Sequence, residues 1–143
     1  MKIDKRDILL IGLNHKTAPV EIRECIGFAG DQTDQALLAL HALDAVHEVL
    51  LLSTCNRVEV LLTTPDRDTA ACQVIAFLSA TNDIPATEFE DKLYRHAGDA
   101  AVRHIFRVAS SLDSMVVGEP QILGQIKDAY RLAANKKTSG VIL

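Results

Sequence analysis

The chain has 143 residues, 48% of them hydrophobic and 24% charged, with 7 Gly and 4 Pro, which suits one domain with its own hydrophobic core and excludes disordered, collagenous and low-complexity classes. With 4 Phe, 2 Tyr and no Trp, the core must be built from Leu, Ile, Val and Ala. The formal charge of −4 excludes a generally basic nucleic-acid module, so any RNA contact has to be local or shared with another part of the molecule.

No run of about 18 apolar residues is present to span a bilayer. The start, MKIDKRDILLIGLNHK, carries two acids before a short apolar run and no small-residue cleavage site, so it reads as a first strand and not as a signal peptide. Cys25, Cys55 and Cys72 are odd in number and lack a disulfide-framework spacing, which fits a reduced, cytoplasmic setting.

Asp7 to Leu13 is a continuous apolar run of strand length, suited to a strand covered on both faces. Thr17 and Pro19 open a short helix through Val20, Ile22, Cys25 and Ile26. Asp31 is expected to cap the next helix, whose apolar positions Ala36, Leu37, Leu40 and Leu43 recur at helical spacing. Val46 to Leu52 and Arg57 to Thr63 read as second and third strands, and the STCN between them makes a tight hairpin the economical connection. After Pro65 the period becomes helical, with Ala71, Val74, Ile75 and Leu78 on one face, Asp66 or Asp68 as cap and Thr81-Asn82-Asp83 as terminator.

Pro85 is expected to begin a short acidic helix through Phe89 and Leu93. Gly98-Asp99 starts another, with Ala101, Ile105, Val108, Ala109 and Leu112 on one stripe. A loop, LDSMVVGEP, leads to Pro120 at a favoured first helical position and a helix to about Lys136. Val141-Ile142-Leu143, after Gly140, looks like the start of another element, as in a fragment of a longer chain. The order predicts an α+β domain: a small, mainly antiparallel sheet with packed helices, then a helical C-terminal third. A ferredoxin-like arrangement accommodates this order, although no fourth strand is evident.

Cys55 is the most pointed residue for chemistry. It follows a buried strand inside Ser53-Thr54-Cys55-Asn56-Arg57, where polar residues crowd a turn that would otherwise be short and plain. A thiolate is the useful nucleophile. Arg57, permanently charged, suits either that thiolate or a carboxylate held by two parallel hydrogen bonds. Thr54 and Asn56 can donate to a substrate. The plain alternative is a small residue chosen to fit a turn, with Arg57 solvated. Cys25 and Cys72 sit on or beside apolar helical stripes and are expected to be buried and structural.

His104 flanks the apolar stripe of its helix, with Ser111 on the same side. It suits a general acid or base, or a half-buried histidine bonded to a carbonyl. His15, His41, His47 and His96 form no metal-binding spacing. A second polar concentration, Asp113-Ser114 and Gly118-Glu119-Pro120-Gln121 with Gln125, surrounds a helix start that either presents N–H groups to a ligand or is a plain terminus. No dinucleotide, Walker or Gly-x-Ser-x-Gly fingerprint is present.

GLNHKTAPVEIRE, LLSTCNRVEV and HIFRVASSLDSMVVGEPQILGQIKDAY closely resemble, in order, the N-terminal domain of the glutamyl-tRNA reductase family. The resemblance makes residues 1–143 the catalytic, glutamate-binding domain and implies that NADPH-binding and dimerisation domains lie outside this chain. It places the catalytic cysteine on Cys55 and a histidine important for activity on His104. Glutamate-pocket positions fall on Thr54, Asn56, Arg57, Ser114, Glu119, Pro120, Gln121 and Gln125.

The implied reaction begins with attack of the Cys55 thiolate on the ester of glutamyl-tRNA(Glu). The resulting thioester is reduced by hydride from NADPH to glutamate-1-semialdehyde, the first step of tetrapyrrole synthesis. The family resemblance also implies a homodimer and admits glutamate-1-semialdehyde aminomutase as a partner. By charge, Arg57 suits the substrate side-chain carboxylate and Glu119 its α-ammonium. Ser111 departs from the glycine usual in the family, at a cost of about 1–3 kcal/mol if that position needs positive φ and none if it is helical. Two other readings stand beside this one: a non-catalytic tRNA- or partner-binding module, and a redox-sensing thiol protein.

Overall fold

The computed structural model describes residues 7–110, 121–140 and 142–143. Four strands, β1 (Asp7–Asn14), β2 (Glu48–Ser53), β3 (Arg57–Thr64) and β4 (Tyr94–Ala97), form one sheet in the order β2-β3-β1-β4. Every neighbouring pair is antiparallel. Five α-helices are α1 (Val20–Ile26), α2 (Asp31–His41), α3 (Arg67–Asn82), α4 (Asp99–Ala109) and α5 (Gln121–Asn135). The domain is therefore α+β, as its element order predicts.

Register fixes what each face carries. Leu9, Ile11 and Leu13 stand opposite Leu62, Val60 and Val58, an apolar face on which Ala36, Leu37 and Leu40 of α2 and Ala71, Val74 and Leu78 of α3 complete the core. Ser53 shares this face, and its hydroxyl accepts from the Phe28 N–H at 2.9 Å and donates to the Phe28 carbonyl at 3.1 Å. Phe28 in turn stacks on Phe77 of α3. The opposite face carries Leu10, Gly12 and Asn14 against Leu61, Glu59 and Arg57. Here Leu52 packs with Val108 of α4 and Ile122 of α5. Helices thus cover both faces, which explains why all eight residues of β3 are buried.

Two expectations are corrected. Asp31 does not cap α2: Gly30 does, at φ 57°, and Asp31 is the first helical residue without a capping side-chain bond. The acidic helix after Pro85 is two short 3-10 turns, Ala86–Glu88 and Glu90–Lys92, followed by β4, a strand absent from the sequence reading. The N–H groups of Ile142 and Leu143 both donate to the buried Glu48 carboxylate at 3.2 Å. Asp66 does cap α3, accepting from the Thr69 N–H at 3.2 Å, and Asp83 closes that helix at φ 51°. Leu112 and Pro120 lie outside the described residues.

Candidate active site

The β2–β3 hairpin places Cys55 at its tip. The Thr54 N–H donates to the Arg57 carbonyl at 2.8 Å, and the Thr54 hydroxyl accepts from the N–H groups of Asn56 and Arg57, each at 3.1 Å. Thr54 thereby shapes the turn that presents the thiol. Cys55 is exposed, and Asn56 is half-buried beside it.

Beneath the tip, Arg57 and Glu59 are two residues apart on one strand and so point the same way. Each side chain is 1% exposed, and Arg57 Nη1 donates to Glu59 Oε1 at 2.6 Å. The other carboxylate oxygen, Oε2, receives His104 Nε2–H from α4 at 2.7 Å. That bond puts the proton on Nε2, so a neutral His104 offers Nδ1 as an acceptor. The imidazole is also stacked under His96, at 4.6 Å between centroids, and Tyr94 meets it tilted by 50° at 5.2 Å. Gly12 makes room for this arrangement, since a β-carbon there would fall 2.8 Å from Glu59 Cγ and 2.7 Å from the Val58 carbonyl.

Several predicted residues take definite places. Arg57 is a buried member of an ion pair and not a solvated head group. His104 is half-buried and bonded to a carboxylate, not a carbonyl. Gln125 is exposed on α5 and shares a shallow pocket with Leu52 and Ser53, next to Thr54. Gln121 opens α5. Ser111, Ser114, Glu119 and Pro120 lie outside the described residues.

Cys25 and Cys72 are exposed, against the expectation of burial. On α1 the buried residue is the adjacent Ile26, and on α3 the buried stripe is Ala70, Ala71, Val74 and Leu78, which Cys72 just misses. Glu59, Tyr94 and His96 were not singled out from sequence. Glu59 had a signal: a carboxylate two residues from an arginine, in a strand apolar on both sides.

The family described as Glutamyl-tRNAGlu reductase, N-terminal domain, matches residues 11–143. The chain belongs to this family. A glutamyl-tRNA reductase of Desulfatibacillum aliphaticivorans is 52% identical over 96% of this chain and 32% of its own length. That of Syntrophobacter fumaroxidans is 55% identical over 95% of this chain and 30% of its own length. The solved glutamyl-tRNA reductase from Methanopyrus kandleri matches with a TM-score of 0.72 and 34% identity, over 93% of this chain and 29% of that one. The chain thus spans about a third of the length of these relatives. Family membership and geometry meet at the STCNR turn, the segment of the resemblance that carries the exposed thiol.

Proposed function

We propose that this chain performs acyl transfer from glutamyl-tRNA(Glu) to Cys55, as the N-terminal domain of a glutamyl-tRNA reductase. The observation that carries the reading is the exposed thiol at the hairpin tip, above the buried Arg57–Glu59–His104 assembly. The Cys55 thiolate attacks the ester carbonyl. The S–C bond forms, the bond to the ribose oxygen breaks, and that oxygen leaves with a proton. An aminoacyl ester is already activated, so a thiolate displaces it without a strong acid. In this reading His104, held by Glu59 through Nε2–H, takes the thiol proton on Nδ1 as the thiolate forms and passes it to the leaving ribose oxygen. Arg57, buried under the turn and paired with Glu59, braces the hairpin from beneath and is not open to a substrate carboxylate, and Gln125 borders the same end of the sheet. Strand order and connectivity support a ferredoxin-like reading of the sheet, with α4 and α5 added on its second face.

NADPH, which the family resemblance implies, does not fit the described residues. All neighbouring strands are antiparallel, and the strand, Gly-rich turn and helix that cradle a dinucleotide are not formed among them. The reaction derived for this chain ends at the thioester.

Trapping the acyl-protein tests the reading. Because all three thiols are exposed, the parent should carry Cys25→Ser and Cys72→Ser. Incubated with glutamyl-tRNA(Glu), it should gain one glutamyl mass, removable by hydroxylamine. No adduct, or an adduct that survives Cys55→Ser, rejects the proposal.

A further inference from the structure

A groove of about 390 Å³ lies between the β1–α1 loop and α4. Its walls include Lys16, Thr17, His96, Arg103, His104 and Arg107, and among the described residues no carboxylate lines it. Arg103 and Arg107 are exposed, and neither makes an ion pair among the described residues. Phe106, at 66% the most exposed large apolar side chain among the described residues, neighbours Arg103 three residues away and flanks the groove without lining it. The inner side of α4, with Ala101 and Val108 buried, faces the sheet, so this outer side serves no core.

The groove is aligned with the thiol. Asn14 stands opposite Arg57, so the β1–α1 loop and the Cys55 hairpin leave the sheet at the same end. His104 is level with Glu59, and Arg107 lies almost one turn further along α4, about 5 Å towards that end. Cations that track a backbone and an aromatic face that stacks a base are the two parts of a single-strand nucleic-acid site.

We propose that this groove seats the unpaired 3′ end of the RNA, with Arg103 and Arg107 on its phosphates and Phe106, on the flank beside Arg103, stacking a base. The proposal deepens the reading of an aminoacyl-RNA substrate and rests on it. A local cationic groove also reconciles RNA binding with a chain of formal charge −4.

Fluorescence anisotropy with uncharged tRNA(Glu), and with the same RNA lacking its unpaired 3′ nucleotides, tests it. Arg103→Ala with Arg107→Ala should weaken binding of the intact RNA about tenfold and flatten the salt dependence by about 1.4, as loss of two single-strand phosphate contacts requires. Phe106→Ala should cost about tenfold as well. Arg103→Lys with Arg107→Lys should retain most of the affinity, because phosphate needs charge more than fork geometry. On the shortened RNA, the parent and both alanine variants should bind alike.

Equal losses on both RNAs, or no loss, overturn the proposal. So does a Phe106→Ala chain that changes its mass in light scattering instead of its RNA affinity, which would mark a protein-facing patch. Uncharged RNA carries no acyl group, so the outcome is independent of thiol chemistry. RNA binding through the arginines without an adduct on Cys55 would remove the acyl-transfer reading alone. An adduct indifferent to the arginines would remove the groove alone.

Discussion

Glu59 sits in a strand buried on both faces and is 1% exposed, so its charge has to be met by protein groups. One oxygen faces Arg57 and the other His104. Glu59→Gln removes the negative charge that Arg57 Nη1 contacts in the buried pair. Removing one partner of such a pair costs about 3–5 kcal/mol, and urea unfolding should show a loss at the lower end of that range, since the amide oxygen keeps one hydrogen bond. Variants at Glu59 and His104 should not add: after Glu59→Gln, a further His104→Gln should cost little. Full additivity would mean that the 2.7 Å contact contributes nothing. Acylation of Cys55 should slow in either variant, measured on the folded fraction.

Two helices entered by an aspartate show how an element can be read and misread. Asp66 caps α3 through its side chain, and the Thr69 hydroxyl also donates to it at 2.7 Å. The Thr69 side-chain bond, then the Thr69 backbone bond, hold its carboxyl below the ordinary 3.8. A lowered folded pKa contributes stability that is fully present above the unfolded value and is lost as pH falls through the folded one. Asp66→Ala should therefore lower the melting temperature at neutral pH, and its gap from the parent should close well below pH 3.8. A gap that persists in acid would contradict the capping role.

Asp31 is instead the first residue inside its helix, and the chain enters α2 through Gly30 in a conformation that glycine alone adopts easily. Residue type was legible in both cases; entry geometry was legible only at α3. The long apolar runs of β1, β2 and β3 were legible because burial on both faces writes a continuous signal. Tyr94-Arg95-His96-Ala97 carries no such signal, since β4 exists by pairing with β1, more than eighty residues earlier in the chain. Cys25 and Cys72 were misplaced by one residue of helical phase. Cys55 stood out from its polar turn, whereas the stack of His96 on His104 needs β4 and so could not be foreseen.

The face beneath α4 and α5 is bounded by two buried carboxylates at opposite ends of the sheet. Glu59 anchors the hairpin end. Glu48, 5% exposed, accepts from the Thr63 hydroxyl at 3.1 Å and from the N–H groups of Ile142 and Leu143. Thr138 reinforces the second anchor: its carbonyl accepts from the Val49 N–H and its hydroxyl donates to the Val49 carbonyl, each at 2.9 Å. Glu48→Ala should release this C-terminal segment at a cost of about 1–3 kcal/mol. Limited trypsin digestion should then cut after Lys136 or Lys137 faster than in the parent. An unchanged rate would show that Thr138 alone holds the segment.

The charge of the molecule is unevenly spread. Acidic residues outnumber basic ones, 19 to 15, yet the permanently charged side chains lining the groove beside α4 are, among the described residues, all cationic, and the nearby Glu59 is sealed from solvent. A polyanion drifting towards most of the surface is repelled, and one approaching this side is drawn in. Long-range forces would thus sort orientations before touch, favouring encounters in which a strand arrives already pointing at the sulfur, and added electrolyte would blunt that guidance.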